Sequence, residues 1–247
     1  MLARQDIAKI IDLPAEENTA TATLDAVKHA ITVHDITYVA SKNNEEIFTN
    51  ISGKFLANTC TSVNSHKPIY CSTLFMLLLN CLQPISGKIS YDKQDVRTIA
   101  VNNLRAVVSY ISADTTLFTG SLLENITLFR EEKIEQARII IVELELDKLF
   151  SILPDGYNTH VDNSTSAKIP QNLKQRIGMA RMLLEEPNVI LYDHADNGID
   201  HATETIFINV LTKLKPQCTI ILASDNAAIL NLADKHFVLH RDKLSEM

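Results

Sequence analysis

Asp193 closes the apolar run Val189-Ile190-Leu191-Tyr192 and opens a polar loop carrying His194, Asp196, Asp200 and His201. A carboxylate at the carboxyl end of a buried strand sits where open α/β sheets bind ligands. In phosphate-binding folds that position holds magnesium; the alternative is an aspartate that caps the next helix. Ser72 and Thr73, ahead of the apolar stretch Leu74–Leu82, form a second candidate pair. Hydroxyls there either meet a metal or cap the helix that follows. His194 is a candidate base, because histidine exchanges protons near neutral pH. The loop's three aspartates and two histidines look like a metal cluster, but their spacing fits no closed zinc site and no calcium loop. Helix-capping carboxylates in a polar loop account for them better.

The elements that must position these groups are legible in part. Val189–Tyr192 reads as a strand buried on both faces of a parallel sheet. Strand patterns also cover Ile31–Tyr38 and Ile47–Ile51 around the turn Ser41-Lys42-Asn43-Asn44, then Lys54–Leu56, Thr59–Asn64, Lys88–Tyr91, Val107–Ile111, Cys218–Ala223 and Phe237–His240. Helical periodicity covers Thr73–Leu82 up to Pro84, Ile134–Phe150, Gln171–Glu185 up to Pro187, His201–Lys213 and Ala227–Ala233. Ser121–Ile126 begins the mostly helical section, and Leu153-Pro154-Asp155-Gly156 is a turn. Near the start, residues 2–13 put Leu2, Ile7, Ile10 and Ile11 on one helical face, and residues 14–30 read as a linker. Antiparallel strands followed by alternating strands and helices describe an α/β core with a β layer against it. There is no internal repeat or low-complexity tract.

Composition narrows the function classes. The 247 residues are 46% hydrophobic and 21% charged, ordinary for a soluble globular chain. A net charge of −7 gives no support to a nucleic-acid surface, so nucleic acid is not an expected partner. The four cysteines, Cys60, Cys71, Cys81 and Cys218, lack metal-ligand spacing and point to a reducing, cytoplasmic compartment. No secretory signal opens the chain, and Leu74–Leu82 is far short of the roughly 20 residues a membrane helix needs. Glycine is scarce: 6 in all, at positions 53, 87, 120, 156, 178 and 198.

Five segments in order carry a family resemblance: STLFMLLLNCLQPISGKI (Ser72–Ile89), LFTGSLLENITL (Leu117–Leu128), LPDGYNTHV (Leu153–Val161), QRIGMARMLLEEPNVILYD (Gln175–Asp193) and NGID (Asn197–Asp200). From about Ile31 to the end, the chain resembles the nucleotide-binding domain of an ABC transporter, of the exporter type found in type I secretion systems. The resemblance implies a P-loop NTPase core with an antiparallel β layer and a helical subdomain at about residues 120–185. Residues 1–30 would be the tail of an exporter's membrane domain. It also implies ATP and magnesium as cofactors, a membrane domain and a second nucleotide-binding domain as partners, and a place at the cytoplasmic face of the membrane. Ser72 and Asp193 match the family's metal-binding pair, Ser72 and Thr73 the end of its phosphate loop, and Asp200 the aspartate of the loop crossing the dimer interface.

The family's other working residues are replaced. In register with GxxGxGK and its following Ser or Thr stands Ser65-His66-Lys67-Pro68-Ile69-Tyr70-Cys71-Ser72, without a glycine and with Cys71 for lysine. Glycine serves there because the backbone takes positive φ close to the phosphates. Ile69 resists positive φ, Pro68 removes an N–H donor, and Tyr70 is expected to fill the space the phosphates need. Each lost charge-assisted contact is worth roughly 1.5–3 kcal/mol. Lys67 lies four residues early. Ser72 and Thr73 would then cap the helix. The LSGGQ signature falls on Ile169-Pro170-Gln171-Asn172-Leu173, after a segment one residue longer than the family's. His194 stands for the catalytic glutamate, Ala113 for the sensor glutamine, Asp225 for the switch histidine, and Ala40 for the adenine-stacking aromatic, with Tyr38 two residues off.

Three functions compete on these grounds. The first is a pseudo-ATPase with a structural or regulatory role in a transporter, the second a motor domain that still hydrolyses ATP, and the third a stand-alone interaction protein. In the family, each ATP lies between one subunit's phosphate loop and the other's signature. Both are altered here, so an intact partner would not restore either composite site, and the pseudo-ATPase is the expected reading.

Overall fold

The computed structural model describes residues 20–40, 44–162 and 169–247. The expected helix at 2–13, the turn at 41–44 and the lengthened segment before residue 169 fall wholly or partly outside them.

A six-stranded sheet forms the centre, in the order β12-β11-β3-β10-β9-β6. It is built from β3 (Cys60–Asn64), β6 (Val108–Ser112), β9 (Val189–Asp193), β10 (Thr219–Ala223), β11 (Lys235–Leu239) and β12 (Leu244–Glu246). All neighbours are parallel except β11 and β12. Every residue of β9 and β10 is buried, as continuous apolar runs covered on both faces require. The second layer is a four-stranded antiparallel sheet, β2-β1-β4-β5, of β1 (Ala30–Ala40), β2 (Glu45–Leu56), β4 (Ser86–Tyr91) and β5 (Gln94–Asp95). The expected strands 47–51 and 54–56 are one long β2, because pairing with β1 continues through Gly53 opposite Val33.

Between the layers lies helix α1, Pro68–Leu78. It begins and ends earlier than the expected 73–82. Pro68 at the first helical position has its φ preset for the turn, and its missing N–H would have been unpartnered anyway. Leu74, Phe75, Leu77 and Leu78 are buried in the core shared with Phe48, Phe55 and Tyr91. Helix α2 (Val101–Val107) runs into β6. A helical section then holds α3 (Leu122–Thr127), α4 (Ile134–Glu143), α5 (Leu146–Phe150) and α6 (Gln171–Leu184), beside the two-residue strands β7 (Gly120–Ser121) and β8 (His160–Val161). α3 starts in a capping box, Ser121 with Glu124. The single helix expected over 134–150 is broken at Glu145, φ +52°, which lets Leu144 and Leu146 both turn inward to full burial. At Gly178, α6 passes close against the loop after β6: a Cβ there would meet Thr115 Oγ1 at 2.4 Å. Helices α7 (His201–Leu214) and α8 (Ala227–Leu230) complete the chain. β12 was not expected from sequence; it pairs with the edge of β11 through Leu244, which is buried under Gly53. Among the described residues no helix is long and apolar enough to cross a membrane.

Candidate functional site

The carboxyl ends of β6, β9 and β10 lie side by side, with Ser112 and Ala223 both in register with Asp193. Backbone bonds fix this edge: Ala113 N–H donates to Asp193 O at 3.1 Å and His194 N–H to Ala223 O at 2.8 Å. A cleft of about 340 Å³ opens there, lined by Pro68 and Ser72 of α1, Tyr110, Ala113, Asp114, Asp193, His194, Asn197 and Asp225. The structure therefore brings together Ser72, Asp193, His194, Ala113 and Asp225, all read from the sequence as one site.

Asp193 is 4% exposed. Its Oδ2 accepts the Tyr110 hydroxyl at 2.7 Å, and its Oδ1 has no hydrogen-bond partner among the described residues. Burial, then the bond to Asp193, pushes the Tyr110 phenol well above the ordinary range, so tyrosine is a fixed donor at any working pH. This contact was missed in the sequence, although β6 is a buried strand candidate whose residues two apart share a face. His194 sits at φ +50°. Among the described residues its imidazole nitrogens are buried without a hydrogen bond, and the Asp225 carboxylate lies 3.7 Å from its Nδ1.

The loop before α1 is only Ser65, His66 and Lys67, and the next five residues are already helical. Ser72 and Thr73 are thus in the second turn of α1 and do not cap it. Lys67 holds the cap position without a side-chain bond. Tyr70 does not fill the cleft either. It is 7% exposed and turns inward, its ring 5.6 Å from Phe48 edge-on, because at helical spacing it shares the core face with Leu74 and Leu77. Ile69 takes the outer face, 58% exposed. Cys71 is 1% exposed, its Sγ 3.4 Å from Val63 O. Burial first, then Asp193 and Asp225, raise its thiol to about 12. Lys67 Nζ lies over the Tyr70 ring and 3.9 Å from Glu45, directed away from the cleft.

Asp200 stands apart from this cleft. It caps α7 through Thr203 N–H at 2.8 Å and accepts from Asn172 at 2.9 Å, bonds that hold its carboxyl below the usual range. Asp196 accepts from Ser224, and His201 is exposed beside Glu204. Among the described residues no three His, Cys, Asp or Glu are placed to share a metal. Ala40 and Tyr38 are partly buried against the core around Phe48, Phe55 and Tyr91. At the altered signature, α6 starts after Pro170 with no side-chain cap. Its Gln171 and Gln175 both donate to Ala113 O, and Gln175 accepts from Thr115 at 2.9 Å. Both glutamines lie in segments singled out in the sequence, but their meeting at Ala113 O was not legible there, since an amide inside a helix gives no local signal.

A family model described as ABC transporter matches residues 49–197. An ATP-dependent lipid A-core flippase of Francisella tularensis subsp. tularensis is 25% identical over 246 residues, 99% of this chain and 40% of the flippase. ABC transporter B family member 29, chloroplastic, of Arabidopsis thaliana is 30% identical over 179 residues, 71% of this chain and 28% of its own. The solved structure of a bacterial Atm1-family ABC exporter with ATP bound superposes at a TM-score of 0.85 and 22% identity, over 99% of this chain and 43% of that one. The chain spans 40% or less of the length of these two curated relatives.

Proposed function

This chain belongs to the ABC transporter family, and from that premise we propose that it is an exporter-type nucleotide-binding domain that has kept the frame and given up ATP hydrolysis. The observation that carries the reading is the rewinding of the phosphate loop into helix α1 from Pro68 onward. The family implies ATP and magnesium, and the residues present do not fit them. A triphosphate needs backbone N–H donors and a cation. Here Pro68 has no N–H, the Tyr70 N–H is bonded to Lys67 O, and a buried neutral thiol stands for the lysine. The cleft presents Asp114, Asp193 and Asp225 to any phosphate, and like charges at close range repel. Ser72 and Asp193 alone are two ligands, whereas magnesium in such sites draws further oxygens from the substrate phosphates.

The role is then structural or regulatory within a transporter. Its partners would be a membrane domain and a second nucleotide-binding domain, at the cytoplasmic face of the membrane. A second groove of about 450 Å³ lies between β6, the loop 114–118 and α6, with Phe118, Leu128 and Arg105 on its walls. We assign it to the membrane-domain partner, since exposed apolar surface rimmed by charge suits a protein contact. Titration calorimetry with ATP and magnesium tests the central reading. No binding tighter than about 100 μM is expected; a tighter constant means that phosphate is still gripped and the reading is wrong.

A further inference from the structure

Asn197-Gly198 is the one Asn-Gly bond in the chain. The Cγ of an asparagine side chain can close a small ring with the main-chain nitrogen of the next residue. A Cβ on that residue crowds the approach, and glycine has none. Asn197 and Gly198 are both exposed, in a turn after β9 where the Asn197 N–H donates to His194 O at 3.0 Å. Among the described residues neither the Asn197 side-chain amide nor the Gly198 N–H has a hydrogen-bond partner. Gly198 sits at φ +74°, and beyond its chain neighbours a Cβ there would meet nothing nearer than Gln171 Cγ at 3.4 Å. Asp155-Gly156 could close the same ring, but its nitrogen is held: the Gly156 N–H donates to Leu153 O at 3.1 Å. Asn64-Ser65 is restrained as well, since Asn64 is paired with Val238 in the central sheet.

We infer that Asn197 is a site of spontaneous deamidation. Solvent hydroxide takes the Gly198 amide proton, and the nitrogen attacks Asn197 Cγ. An N–C bond forms, the bond from Cγ to the side-chain nitrogen breaks, and that nitrogen leaves as ammonia after taking a proton from water. Water then opens the cyclic imide at one of its two carbonyls. Opening at the main-chain carbonyl gives isoaspartate, and opening at the side-chain carbonyl gives aspartate. Asn197 lines the cleft that holds Asp193 and Asp225, so either product adds a carboxylate to it. The isoaspartyl form also lengthens the main chain by a methylene between β9 and Asp200, whose carboxylate caps α7 through the Thr203 N–H. The inference holds whether or not triphosphate binding is lost.

Ageing the chain in mildly alkaline buffer, natively folded and unfolded in urea, tests this by peptide mass spectrometry. In the folded chain Asn197 is expected to convert before any other asparagine, at a rate within about tenfold of that in urea, because an exposed turn opens at little cost. The peptide should gain the mass difference between an amide and an acid, and separate into aspartyl and isoaspartyl forms on chromatography. N197Q should slow conversion at this position about tenfold or more, since the longer side chain closes its ring less readily. Conversion in the fold that lags urea by more than that factor shows that the turn shields the bond, and overturns the inference. An equal rate in N197Q, or another asparagine converting first, overturns it too.

Discussion

Cys71 occupies the place of a cation but behaves as a core residue. Its thiol is 1% exposed and raised to about 12, and the thiolate is the form that reacts. Cys60 and Cys218 are also buried and raised, whereas Cys81 is exposed. Brief alkylation of the native chain at pH 7.5 should therefore modify Cys81 alone, as mass spectrometry would read. Fast labelling of Cys71 would mean that α1 opens at its first turns. Tyr110 gives a second check at this scale. Among the described residues it supplies the one side-chain hydrogen bond that Asp193 receives. Y110F should destabilise the fold by about 1–3 kcal/mol, the cost of leaving a buried acceptor unpaired, as a shift of the urea midpoint. It should not create ATP binding, since a freed carboxylate adds nothing that holds phosphate.

At the scale of elements, α1 decides the outcome. Tyr70 and Ile69 are neighbours in sequence and opposite in fate: one is packed on Phe48, the other lies in solvent. Y70A should cost about 3–4 kcal/mol, as for other core aromatics, while I69A should stay within about 0.5 kcal/mol, as for a surface change. Were the segment an open ligand-binding loop, the two unfolding midpoints would differ little. The strand β9 was plain in the sequence, because an apolar run ending in a carboxylate has few other readings. The start of α1 was hidden because Pro68 stands where the family bends its loop, yet proline is equally a first helical residue. The break at Glu145 was invisible for a different reason. Its left-handed backbone is set by the burial of Leu144 and Leu146 around it, and neither glycine nor proline marks it. Ser72, Asp193 and His194 could be named from spacing; that Tyr110 would meet Asp193 depends on the register of β6 against β9.

For the whole molecule, the question is how the segment before β1 is held to the rest, since it would link this domain to whatever precedes it. Residues 20–29 form no regular element beyond one bridge from Ala22 to Ile99, yet Leu24 and Val27 are buried in the core with Phe48, Phe55 and Tyr91. Asp92 is the clasp. Its carboxylate accepts N–H bonds from Lys28, His29 and Ala30 at 2.8–3.0 Å, and Asn188 takes the Val27 N–H at 2.6 Å. Burial would raise the Asp92 carboxyl, but the three N–H donors outweigh it and hold it below the ordinary value. A lowered folded value means stability that is complete above the unfolded value, near pH 4, and is lost as pH falls through the folded one. D92N keeps the shape and suits the positive φ of this position, but it removes the charge and sets an NH2 donor against one of the N–H groups that both oxygens now accept. At pH 7 it should lower stability by about 1 kcal/mol after solvent screening, roughly 2–4 °C in Tm for a chain of this size. As pH falls through the folded value of Asp92, the difference between the two proteins should shrink. Amide exchange at residues 28–30 should quicken in D92N at neutral pH while the strands of the central sheet stay protected. A D92N protein that melts with the wild type at pH 7 would show that Leu24 and Val27, and not the carboxylate, tie this segment down.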